Sequence, residues 1–149
     1  MQTVKMVVTG PFSAGKTEFI QSVSEIDVVS TERRISSAAE RSVKESTTVA
    51  MDFGRITVDE DLVLYLFGTP GQKRFDFMWE ILSEGMLGFI VIVDSSRPET
   101  FREARGILDT FRGYAETPYV IAANKQDHED AWSPDDLRIA LKISKDIKV

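Results

Sequence analysis

The eight residues from Gly10 to Thr17, GPFSAGKT, constrain this chain more than any others. They match the pattern G-x-x-x-x-G-K-[ST] at every fixed position. Gly10 and Gly15 let the backbone turn tightly, so that successive N–H groups converge on one anion. Lys16 brings a cation to the outer phosphates of a nucleotide. Thr17 offers a hydroxyl to Mg2+, and the helix start adds a partial positive charge. The pattern follows the apolar, β-branched run Val4–Val8 and opens a helix expected over Gly15–Ser24. That strand–loop–helix setting is what separates a phosphate cradle from a chance match. The residues placed on the phosphates are Gly10, Ser13, Ala14, Gly15, Lys16 and Thr17.

The rest of the chain continues the alternation of strand and helix. Val49–Val58 and Leu62–Phe67 read as a hairpin closed by Asp59-Glu60-Asp61. Phe75–Leu82 reads as a short helix, Phe89–Val93 as a buried strand, and Glu99–Tyr114 as an amphipathic helix with Pro98 in its first turn. Tyr119–Ala123 is a further strand. Ser133-Pro134-Asp135-Asp136 supplies an N-cap, a first-turn proline and first-turn acids, so a last helix starts there and runs to about Lys142. Ile26 to Thr47 is polar and without a clean period, the mark of a functional or irregular segment. This order predicts an α/β fold, a mainly parallel sheet with helices on both faces and one antiparallel strand at its edge. Ligands in such folds sit beyond the carboxyl ends of the strands, where all the motifs fall.

Length and composition narrow the function. At 149 residues the chain suits a single domain, here 1–149, and 42% hydrophobic with 28% charged residues fits a packed core. A net charge of −6 argues against a nucleic-acid binder. With no cysteine and one histidine, His128, thiolate metal sites, disulfides, lipid anchors on cysteine and paired-histidine zinc motifs are excluded. The longest apolar run, Met86–Val93, is too short to span a membrane. The expectation is a cytoplasmic protein without a membrane anchor.

A second motif follows the strand Tyr119–Ala123: Asn124, Lys125 and Asp127 form N-K-x-D. A carboxylate at Asp127 can accept hydrogen bonds from N1–H and the exocyclic amine of guanine. Adenine has an acceptor where guanine has N1–H, which leaves the acid unpaired. The stem of Lys125 can lie along the base, and Asn124 can tie this loop to the phosphate loop. Alone the motif is weak; downstream of the phosphate loop and at a strand end it is strong.

Taken in order, GPFSAGKT, TTVAMDFG, GTPGQKRF and NKQD resemble the small Ras-like GTPases over nearly the whole chain. TTVAMDFGRI and LFGTPGQKRFDFMW are similar to a bacterial and archaeal branch related to the gliding-motility (MglA-type) GTPases. The resemblance implies a P-loop NTPase G domain with strand order 2-3-1-4-5, binding GTP or GDP with Mg2+. It implies that Thr48 joins Thr17 on the metal and senses the γ-phosphate, that Gly71 contacts the γ-phosphate through its N–H, and that Gln72 orients the attacking water. Lys16, Thr48 and Gln72 are then the catalytic set, in a reaction where positioning and charge neutralisation dominate. A protein effector and a Roadblock-type regulator are the partners it implies. The aromatic cluster Phe75 to Trp79 is divided between core packing and a partner-binding patch.

Three departures from that pattern stand out. The metal-holding acid at the end of the second hairpin strand is replaced by Gly68; Asp52 is read as a solvent-facing strand residue, with a water-mediated role at the metal as the alternative. Phe12 and Ser13 stand where fast-regulated relatives carry glycines, so slow hydrolysis is expected, with Arg55 or Arg74 as internal charge donors less favoured than as surface residues. The chain ends at LKISKDIKV, without the strand, guanine-supporting loop and helix with which the family continues. That ending is expected to uncover the sheet near Tyr119–Ala123 and Val4–Val8 unless another contact compensates. The competing readings are a slow GTPase switch, a nucleotide-binding scaffold with negligible hydrolysis, and, disfavoured by Asp127, an ATP-using P-loop kinase.

Overall fold

A central strand, β1 (Gln2–Thr9), organises the molecule. The computed structural model describes residues 2–35, 47–70 and 76–149. Around β1 lie β2 (Val29–Ile35), β3 (Thr47–Asp59), β4 (Leu62–Gly68), β5 (Gly88–Asp94) and β6 (Tyr119–Asn124), in the sheet order β2-β3-β4-β1-β5-β6. β1 runs parallel to β4 and β5, and β5 parallel to β6. β3 runs antiparallel to β4. The five expected strands therefore stand in the expected order. The structure adds β2, which pairs antiparallel with β3 from Val29↔Phe53 to Ile35↔Thr47 and takes the edge that β3 was expected to hold. Its sequence, VSTERRI, carries three charges in seven residues. Charged residues are common in edge strands, where they discourage pairing with another chain.

The helices are α1 (Lys16–Val23), α2 (Phe77–Ser83), α3 (Phe101–Tyr114) and α4 (Pro134–Ala140), with a 3-10 turn at Pro98–Thr100 leading into α3. α4 starts as its sequence dictates: Ser133 is the N-cap, and its hydroxyl accepts from the Asp136 N–H at 3.2 Å. The sheet alternates its side chains to two cores, as a two-residue period requires. On one side Val7, Phe89, Val91 and Val93 pack against Ile107, Leu108 and Phe111 of α3 and Leu137 of α4. On the other Val8, Leu66 and Ile92 pack against Ile20 of α1. Phe111 and Phe89 are fully buried, with ring centroids 5.5 Å apart; each such ring contributes about 1.5–3 kcal/mol by leaving water.

The aromatic cluster divides. Trp79 faces the core and donates its indole N–H to the Pro70 carbonyl at 2.9 Å. Phe77 and Ile81, four residues apart on α2, are 51% and 58% exposed. Phe75 and Arg74 lie outside the described residues.

The segment after α4 supplies a compensating contact for the sheet edge. Ile147 and Val149 pack against the core on the α3 side, as do Tyr119 and Ala123 of β6, and the Ile121 N–H of β6 donates to the Lys148 carbonyl at 3.0 Å. The Arg138 guanidinium donates to the carbonyls of Ser144 and Ile147, both at 2.7 Å. On the α1 side Val120 remains 37% exposed. No helix among the described residues is long and apolar enough to cross a membrane.

Candidate nucleotide site

The loop after β1, the start of α1, Asp52 of β3, the residues after β4 and Lys125 after β6 line a cavity of about 440 Å3. Its lining includes Ser13, Gly15, Lys16, Thr17, Asp52 and Lys125. β1 delivers the phosphate loop because it ends at Thr9 and the chain must reverse at once into α1. That reversal uses three residues at positive φ: Gly10 at 147°, Ser13 at 66° and Gly15 at 108°. A Cβ on Gly10 would lie 2.2 Å from the Ile92 carbonyl oxygen, so glycine there lets the loop press against β5. A Cβ on Gly15 would lie 2.3 Å from Asn124 Nδ2.

Lys16 is buried, and its ammonium donates to the carbonyls of Gly10 and Pro11, both at 2.9 Å. Burial lowers its pKa to about 8, while the charges of Glu103 and Asp52 work the other way. The loop thus holds a cation poised at its rim. Thr17 donates its hydroxyl proton to Asp52 Oδ2 at 2.5 Å. Asp52 was read chiefly as a solvent-facing strand residue; it is half-buried and lines the cavity.

The N-K-x-D loop meets the phosphate loop directly. Asn124 Nδ2 donates to the Ala14 carbonyl at 2.9 Å. Lys125, at φ 63°, donates to the Ser13 carbonyl at 3.1 Å and to Asp94 Oδ2 at 2.9 Å. Asp94 is buried at the end of β5. Burial alone would raise its pKa, but hydrogen bonds from Ser96 and Lys125 hold its carboxyl below the usual carboxylate range. Asp94 was not singled out from the sequence. The available signal was an acid closing an apolar strand upstream of the Asn124-Lys125 pair. Asp127 is exposed on the same loop, three residues after the end of β6, and does not line the cavity.

Thr48 lies in β3 opposite Arg34 of β2, and only its backbone is described. Gly71 and Gln72 lie outside the described residues, immediately after Pro70, which lines the cavity. Arg55 is paired with Glu25 at 3.0 Å and does not line the cavity. Phe12 does line it and is 61% exposed.

The donor set suits a hard cation. Ser13, Thr17, Glu18, Asp52 and Thr69 bring side-chain oxygens to the cavity lining, the donor type that magnesium prefers together with phosphate oxygens and water. Among the described residues, the Thr17 hydroxyl, bonded to Asp52, is an oxygen that would suit such an ion, which would neutralise phosphate charge.

Comparison with known proteins agrees with this geometry. The family described as "conserved hypothetical ATP binding protein" matches residues 27–148, a span that begins after the phosphate loop and includes N-K-x-D. An uncharacterized protein of Methanocaldococcus jannaschii is 33% identical over 127 residues, 85% of this chain and 73% of that protein. The mutual gliding-motility protein MglA of Myxococcus xanthus is 28% identical, with 92% of this chain and 74% of MglA aligned. Against ADP-ribosylation-factor-like relatives the chain spans 50–68% of their length. The structure of the small GTPase Arl6 of Trypanosoma brucei with bound GppNp superposes with a TM-score of 0.75 at 18% identity, over 99% of this chain and 84% of that one. That likeness extends to the fold.

Proposed function

Because the chain belongs to the conserved hypothetical ATP binding protein family and to the small Ras- and Arf-like GTPases, we propose that it is a cytoplasmic molecular switch, one G domain over 1–149, that binds GTP or GDP with Mg2+ and hydrolyses GTP slowly. The observation that carries this reading is the junction of the two motifs. Asn124 and Lys125 donate to the Ala14 and Ser13 carbonyls, and Ser13 and Lys125 both line the cavity, which supports a ligand that meets the phosphate loop and the N-K-x-D loop together.

Each residue then has a task. The N–H groups of the loop from Ser13 to Thr17 surround the phosphates, and Lys16 moves its charge from the Gly10 and Pro11 carbonyls onto the β- and γ-oxygens. Thr17 and Thr48 hold Mg2+. Gly71 marks the γ-phosphate, and Gln72 orients the attacking water, as the family pattern has it. Asp127 selects guanine by accepting from its N1–H and amine. The word ATP in the family's description belongs to that family. The carboxylate at Asp127 argues for guanine in this chain, because adenine would leave it without its two donors.

The effector surface is assigned to α2, where Phe77 and Ile81 stand exposed next to the segment carrying Gln72. A change there with the γ-phosphate would report nucleotide state to a protein partner, a Roadblock-type regulator among them. Phe12 at the cavity mouth favours a second reading, a nucleotide-binding scaffold without turnover, since its ring stands where a partner's arginine would enter. Single-turnover GTP hydrolysis with Mg2+ separates the two. The switch reading requires slow hydrolysis above the buffer blank; bound GTP that persists at the blank rate supports the scaffold.

A further inference from the structure

We propose that Asp52, carried on β3, is the acid that positions the metal-binding hydroxyl of Thr17, replacing the acid absent from the end of β4. This rests on the reading of the cavity as a Mg2+–nucleotide site and adds the residue that makes such a site workable when position 68 is glycine.

The antiparallel register sets Asp52 directly opposite Gly68. Residues opposed in this way project to the same face of the sheet. A Cβ built on Gly68 would lie 3.2 Å from Asp52 Cβ, 3.5 Å from Asp52 Oδ2 and 2.8 Å from Ile20 Cδ1. The Asp52 side chain thus occupies the space that a side chain at position 68 would need. The glycine in one strand and the acid in its neighbour are a single arrangement, and the carboxylate reaches the cavity from β3 instead of β4.

The hydrogen bond fixes what this carboxylate does. A threonine hydroxyl has one proton and two lone pairs. Thr17 gives its proton to Asp52 Oδ2 at 2.5 Å, within the short range of bonds to a charged oxygen. The lone pairs are left for a cation in the cavity that both residues line. Partners of this kind orient a ligating atom and raise its basicity, and their loss typically weakens metal binding by about 10–100-fold. Asp52 is thus a positioning residue whose negative charge also balances the cation. Because it sits on β3, retention of the metal is coupled to that strand.

The test uses the full chain loaded with a fluorescent GDP analogue. Its release is timed in excess Mg2+ and in excess EDTA for the wild type, Asp52→Asn and Asp52→Ala. Asparagine keeps the volume and removes the charge. The expected result is a wild type that releases nucleotide much more slowly in Mg2+ than in EDTA, and variants in which that difference shrinks by about tenfold or more. In EDTA wild type and variants should converge, which shows that the nucleotide pocket is still folded. Mn2+ titration of the GDP complexes, followed by electron paramagnetic resonance, should show an affinity about tenfold or more weaker in Asp52→Asn. Undiminished Mg2+ dependence and Mn2+ affinity in Asp52→Asn would overturn the assignment. A wild type that binds no guanine nucleotide would overturn the functional reading and this inference with it.

Discussion

The Asn124 side-chain amide donates to the Ala14 carbonyl at 2.9 Å, joining the end of β6 to the phosphate loop across 110 residues of sequence. Gly15 lies so close that any Cβ there would meet the same amide at 2.3 Å. The bond is internal to the protein, so it acts on loop geometry and not on the identity of the base. Asn124→Ala is expected to weaken GDP and GTP about equally, by up to about tenfold, the worth of one partly buried hydrogen bond. Isothermal titration with each nucleotide checks it. A loss confined to one nucleotide would contradict the tether.

The buried Lys16 gives the site a pH signature. Its pKa without ligand is lowered to about 8, chiefly by burial. Phosphates beside it favour the charged form and raise that pKa on binding. Binding therefore takes up protons above pH 8. Affinity should be fully present below pH 8 and fall as pH rises beyond it, by at most about tenfold per unit. Titrations at pH 7.5, 8.5 and 9.5, in buffers of different ionisation enthalpy, measure both the affinity and the proton uptake. Lys16→Met should abolish the uptake.

Asp127→Asn is expected to exchange the preferred base. Guanine offers two donors to a carboxylate, whereas xanthine offers N1–H and a carbonyl. An amide presents one acceptor and one donor and so matches xanthine. With charged hydrogen bonds worth about 1.5–3 kcal/mol each, GDP affinity should fall about 100-fold, and xanthosine diphosphate should become the tighter ligand. Competition between the two nucleotides for the variant decides it.

Much of this was legible in the sequence because it is local. The phosphate loop, the Ser133 cap and the apolar strands each depend on a few neighbouring residues. β2 was missed because VSTERRI offers no apolar face, and its stability comes from backbone pairing with β3. Asp94 was missed because it acts through Lys125, 31 residues away. Asp52 was noticed, yet its place was not legible. Nothing short of the β3–β4 register reveals that it stands over Gly68 and against Thr17.

The contact after α4 should matter to stability. Arg138 holds the Ser144 and Ile147 carbonyls, and Ile147 packs against the core on the α3 side. Arg138→Ala is expected to cost about 1.5 kcal/mol, which lowers Tm by about 3–6 °C in a domain of this size. Arg138→Lys should recover part of it, since the ammonium can donate to either carbonyl but lacks the fixed planar geometry with which Nη1 reaches both. Thermal unfolding followed by circular dichroism checks both variants.

The proposed switch stands on guanine selection at Asp127 beside the phosphate loop. Displacement of labelled GDP from the wild-type chain by GTP and by ATP measures that selection. GTP is expected to displace the label, and ATP to fail at about 100-fold higher concentration. Equal displacement by ATP would contradict it.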